Sequence, residues 1–189
     1  MSMKKNPFLH TGKLIYLGCF LAGFILFLIL GKAFLDANAL LNVNSLREIK
    51  DSTIDKWAFL KYVSWRRILV LAAGIFLWWK GFGKFFIYSM LGWHGLSMGA
   101  CMYTCLLRYH FKGIFLWFFL YFPNLLFYAA ALFCGMILSA ERLAGKADRL
   151  KFLWQHSLIA LALAASFFFG MYAECYINVA LLQDFLQFF

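Results

Sequence analysis

From Gly113 to Ser139 the chain reads GIFLWFFLYFPNLLFYAAALFCGMILS, without one charged residue. An uncharged apolar run of that length is enough to cross a bilayer as a helix, which takes about 20 residues. In hydrocarbon the backbone donors and acceptors must be satisfied inside the segment, so helix is the form this stretch must take. Near its middle stand Pro123 and Asn124. The proline removes a backbone donor and crowds the preceding turn, which predicts a bend or an opening of the helix. The asparagine brings an amide that lipid cannot satisfy, so the pair should face protein.

The rest of the chain is of the same kind. Hydrophobic residues make up 65% and charged residues 14%, against about 25% charged in soluble domains. The apolar excess is gathered into long runs, which predicts an integral membrane protein. The net charge of +10 is no nucleic-acid signature here. Lys and Arg stand at the ends of apolar runs, where they anchor helices against lipid head groups, and no soluble module carries them as a patch. Membrane lipid is thus an expected partner and nucleic acid is not. Cys19, Cys101, Cys105, Cys134 and Cys175 all fall inside apolar runs and read as small hydrophobes, not disulfides.

Taken in order, the chain predicts an all-α polytopic protein of five transmembrane helices, with an amphipathic helix between the first and second. Residues 1–13 read as a basic cytoplasmic tail. The first span, 14–35, is an uncleaved one, since no small-x-small cleavage site follows the basic start; Lys32 can snorkel to the interface. Residues 36–67 form a polar loop, in which Ser52 and Asp55 resemble a helix-start box and Trp57, Tyr62 and Trp65 suit an interface. A solvated loop fits the same residues. Residues 68–189 form a four-span domain. Its spans lie near 68–79, 85–107, 113–139 and 152–175, and its apolar tail from Tyr176 is suited to lie along the membrane. Lys and Arg divide evenly between the two sides. The basic amino terminus, the cluster at 142–151 and a carboxy-terminal tail without basic residues place the amino terminus in the cytoplasm and the carboxy terminus outside.

Few residues carry chemistry. His94, Met98, Cys101 and Cys105 fall on one helical face, the only metal-like grouping in the sequence. Soft ligands of this kind suit zinc or copper, but the same spacing describes a packing stripe, and no cofactor is expected. Pro123–Asn124 reads as a static kink, with a docking notch for a partner helix as the alternative. Glu174, an ionisable group near the edge of the last span, is a functional candidate by its position; it reads as a hydrated interface carboxylate, with pairing to Arg108 or Lys112 as the alternative. No acid/base pair, phosphate-binding loop or nucleophile elbow is apparent.

Four features stand in a fixed order: G-x-x-x-G (Gly95, Gly99), HFKG (His110 to Gly113), PNLL (Pro123 to Leu126) and E-x-Y (Glu174, Tyr176). Together they resemble the stage II sporulation protein M family of bacterial multi-pass membrane proteins, chiefly over residues 68–189. The chain departs from that pattern where the family often has Pro-Gln-Asn, and where Asn178 stands near an expected proline. The resemblance implies a non-catalytic scaffold in the bacterial cell membrane, acting in engulfment during endospore formation. It would gather cell-wall hydrolases, a lytic transglycosylase and an amidase/endopeptidase, at the septal membrane. A homo-oligomer is left open, and a permease subunit of an ATP-driven exporter is the alternative.

Overall fold

The computed structural model describes residues 7–37, 46, 49–50, 55–144 and 157–188, and all of its regular structure is helical. Helix α1 is Pro7–Ala37. Proline suits a first turn, where its missing N–H has no partner to lose, so residues 7–13 belong to the helix and not to a tail. The side chain of Lys32 and the cluster at 142–151 lie outside the described side chains.

Helix α2 is Lys56–Lys80. Asp55 is its N-cap, accepting from the Trp57 N–H at 2.9 Å and the Ala58 N–H at 3.2 Å. Ser52, the expected start, lies outside the described residues. The helix stops at Gly81, whose φ of 98° suits a residue without a Cβ. The Gly81 and Phe82 N–H groups then close the end on Trp78 O and Leu77 O. The expected surface helix and the short second span are therefore one continuous helix, which places Arg67 near its middle.

Helix α3, Gly83–Ala144, is broken at His110 alone, where φ is 50° and ψ is −131°. The chain reverses there. The Trp117 indole N–H donates to Met98 O across the two limbs at 3.2 Å, and a Cβ on Gly113 would strike the carbonyl of Cys105. The reversal takes one residue where the sequence suggested the connection 108–112. At Pro123, where a bend was expected, the dihedrals stay helical.

Helix α4, Ser157–Tyr172, passes through a π-helical turn, Ala173–Ile177, into α5, Asn178–Gln187. Leu182 and Leu186 of α5 are buried with Cys105, Leu116 and Leu46. The expected membrane-surface tail is instead a core element at the reversal.

Helix α1 lies along the first limb of α3. A Cβ on Gly99 would strike Phe20 O, one on Gly23 would strike Leu96 O, and one on Gly95 would come within 2.5 Å of Tyr16 O. Small residues let two helices meet backbone to backbone where hydrophobic burial cannot drive them together. The opposite side of α1 leaves Leu14, Leu17, Leu21, Ile25, Leu28 and Ile29 exposed, a surface fit for lipid. By length and composition, His10–Leu30, Gly83–Leu138 and Ser157–Gln187 are able to cross a membrane.

Candidate functional site, a polar chamber inside the helix bundle

Arg67, near the middle of α2, reaches Glu174 in the π-helical turn. Its Nη2 donates to Oε1 at 2.9 Å and to Oε2 at 3.1 Å, and its Nε donates to Oε2 at 3.3 Å. The Tyr128 hydroxyl, from the second limb of α3, donates to the same Oε2 at 2.7 Å. The guanidinium also lies 5.0 Å from the Tyr128 ring centroid, in range for a cation–π contact. Gly170 makes room for that ring, since a Cβ there would come within 2.8 Å of it. Three separate helical segments are thus tied by one carboxylate. A π turn is a frequent device at functional sites, and here it carries the carboxylate.

The group lines a chamber of about 900 Å³ bounded by α2, both limbs of α3, α4 and α5. Most of its wall is apolar, including Leu71, Leu125, Leu132, Leu163 and Phe167; the polar residues His94, Asn124 and Asn178 line it too. Asn178 Nδ2 donates to Leu120 O at 2.8 Å, which fixes the orientation of its amide. Asn178 Oδ1, Asn124 Oδ1 and His94 Nε2 are buried and find no hydrogen-bond partner among the described residues. Each buried polar atom left without a partner costs about 1–3 kcal/mol, so three in residues that line one chamber call for an explanation beyond packing.

The sequence candidates divide into three groups. Asn124, Glu174 and His94 converge on the chamber. Gly95, Gly99 and Gly113 hold backbones together, and Pro123 stays inside a continuous helix beside Asn124. Tyr176 stacks on Tyr172 at 4.6 Å with the Lys56 ammonium 6.0 Å from its ring centroid; it is not among the chamber-lining residues.

One pairing differs from the sequence reading. Glu174 pairs with Arg67, not with Arg108 or Lys112. The reason is axial position: α5 runs on past Glu174, and it is Leu182, about 12 Å further along at the ~1.5 Å rise per residue, that packs at the reversal. The four residues of the metal-like stripe have separate surroundings. His94 lines the chamber, Met98 sulfur accepts from the Tyr16 hydroxyl at 3.1 Å, Cys101 packs against the apolar core and Cys105 lies within it. Among the described residues no three His, Cys, Asp or Glu side chains gather as metal ligands.

Sequence reasoning missed Arg67, Tyr128 and Asn178. A second span that begins near 68 makes Arg66 and Arg67 a pair of boundary anchors, but only Arg66 behaves as one, exposed and bonded to the Tyr62 hydroxyl at 2.9 Å. A signal was present: Arg67, Leu71, Gly74 and Trp78 share one helical stripe, and all four line the chamber.

Fold and site together define a helical membrane protein with a largely apolar chamber between its helices that carries an ion pair and a few polar groups. Set against protein family models, curated proteins and solved structures, the chain matches none.

Proposed function

We propose that this is a non-catalytic integral membrane protein of five crossings that works by holding a guest molecule in its mid-bundle chamber. One observation carries the reading. The Arg67–Glu174 pair lines a single space of about 900 Å³, and so do His94, Asn124 and Asn178, each of which holds a buried atom without a hydrogen-bond partner among the described residues. Ionisable groups midway along membrane helices are costly and mark binding or transport pathways. Arg67 and Tyr128 together give Glu174 four hydrogen bonds, a fixed arrangement that favours a structural role over proton transfer.

Three points support the reading of five crossings. The 56 residues from Gly83 to Leu138 are more than twice the ~20 that one crossing needs, and they fold back at His110. The limbs and α4 alternate in direction. Helix α2 can join them despite its charges, because Arg67 faces Glu174 and not lipid. The amino terminus is then cytoplasmic and the carboxy terminus extracytoplasmic, by the charge pattern of the sequence.

The test is water access. In membranes, with Cys19, Cys101 and Cys134 replaced by alanine, Ala164→Cys on the chamber wall should react with a charged methanethiosulfonate at least ~10-fold faster than Leu161→Cys. Leu161 lies on the same helix and is 67% exposed on its outer side. Equal, slow rates at both positions would count against an accessible chamber.

Within this class the ordered set from Gly95 to Tyr176 supports a narrower reading, a scaffold in the bacterial cell membrane resembling stage II sporulation protein M. The backbone contacts at Gly95, Gly99 and Gly113 favour it, because they make a stiff platform. Its partners would be a lytic transglycosylase and an amidase/endopeptidase. A gentle-detergent pull-down read by mass spectrometry should recover such hydrolases. Recovery of an ATPase without them favours the exporter-subunit alternative.

A further inference from the structure

We infer that the guest of the chamber is a neutral, hydroxyl-bearing amphiphile of the membrane, with an acylglycerol as its simplest form. This rests on the proposed guest-holding role and names the chemistry of that guest. Asn124 and Asn178 are 8% and 7% exposed; both line the chamber, and each holds a buried amide oxygen without a partner among the described residues. Both oxygens are acceptors, so a guest toward which these amides turn pairs with them through donors. The His94 Nε2 accepts or donates according to its tautomer and so suits a hydroxyl, which does either.

The fixed charges narrow the class further. An anionic head such as a carboxylate or phosphate would set its oxygens against two amide oxygens and the Glu174 carboxylate. Arg67, the only cation on the chamber wall among the described residues, already spends its Nε and Nη2 donors on Glu174. A cationic head would lie beside the Arg67 guanidinium. The Arg67–Glu174 pair is neutral as a unit, and a neutral donor head meets no repulsion from it.

The rest of the chamber fits a hydrocarbon tail. Its volume stands at the upper end of the ~300–1,000 Å³ typical of ligand sites with mainly apolar walls. Ile75, Trp79 and Trp93 belong to its lining and are at the same time 57%, 42% and 70% exposed. The chamber therefore opens on an apolar flank between α2 and the first limb of α3, where an amphiphile enters from the bilayer.

The test uses the full chain in phosphatidylcholine nanodiscs and three probes with one C18 tail: 1-oleoylglycerol, oleate and oleylamine. The readout is the thermal midpoint at which Cys175, fully buried in the fold, becomes reactive. Oleoylglycerol should raise the midpoint by several degrees with saturation, and the charged probes should bind at least ~10-fold more weakly. Asn124→Leu and Asn178→Leu should each weaken oleoylglycerol at least ~10-fold, and Ala164→Trp, which fills the chamber, should abolish the shift. The probe comparison on the unsubstituted chain stands even where a variant fails to fold. No saturable shift with oleoylglycerol, or equal binding of oleate or oleylamine, overturns the inference. Where a charged probe binds in preference and Ala164→Trp blocks it, the guest chemistry is wrong and the guest-holding role stands. Where no probe binds and Ala164→Cys is also unreactive, both fall.

Discussion

Replacing Glu174 by glutamine removes the charge that ties α2 to α3 and the π turn, and leaves Arg67 without its partner in the middle of the bundle. Two unit charges about 4 Å apart attract by about 4 kcal/mol at an effective dielectric near 20. The Arg67 side chain is 43% exposed and that of Glu174 20%, so water in the chamber screens part of this. A coupling of about 1–3 kcal/mol is what remains, and each single substitution adds the cost of leaving the other charge unpaired. Glu174→Gln and Arg67→Met should therefore each destabilise by about 2–4 kcal/mol. The double variant should lose less than the two single losses added together, by the coupling. Equilibrium unfolding in mixed micelles measures this, with a short pulse of thiol reagent read at Cys105 and Cys175, both fully buried in the native fold. Strict additivity within ~0.5 kcal/mol, or a neutral Glu174→Gln, would refute the idea that the pair fastens α2 to the bundle.

Other outcomes follow from local geometry. Gly99→Ala should separate α1 from the first limb of α3 and lower stability by about 1–3 kcal/mol, the range for overpacking a close contact. Gly18→Ala, with nothing within 4 Å of the added methyl, should be neutral or gain up to ~1 kcal/mol from helix propensity; the same unfolding assay compares them. His110→Gly should stabilise by about 1 kcal/mol, since a histidine at φ 50° carries strain that glycine does not, and a loss there would contradict the one-residue reversal. Asp55→Ala should cost about 1 kcal/mol through the lost N-cap, seen as increased amide exchange over residues 56–59.

Much of the architecture was legible because hydrocarbon leaves so few options. Long uncharged runs have to be helices, and so α1, both limbs of α3 and α4 follow from apolar residues alone. Gly95 and Gly99 also declared themselves, since small residues four apart signal close helix contact; what they touch, α1 of the same chain, did not. The boundaries slipped where charge was used as punctuation. Arg66–Arg67 looked like the end of a span, and the apolar tail after Tyr176 looked peripheral, because hydropathy averages over a window and cannot tell which side of a helix a residue occupies.

By itself the sequence determined that the chain is helical, apolar and suited to a membrane, and that Asn124 had to face protein, because lipid does not satisfy an amide, while Glu174 stayed open between an ion pair and a hydrated interface. Only the tertiary structure decided what they face. The partner of Glu174 lies 107 residues away, and Asn124 meets Asn178 and His94 across a chamber that no spacing along the chain encodes. Those assignments depend on how far one helix slides and turns against another. That is set by the glycine contacts with α1, the reversal at His110 and the burial of α5, acting together.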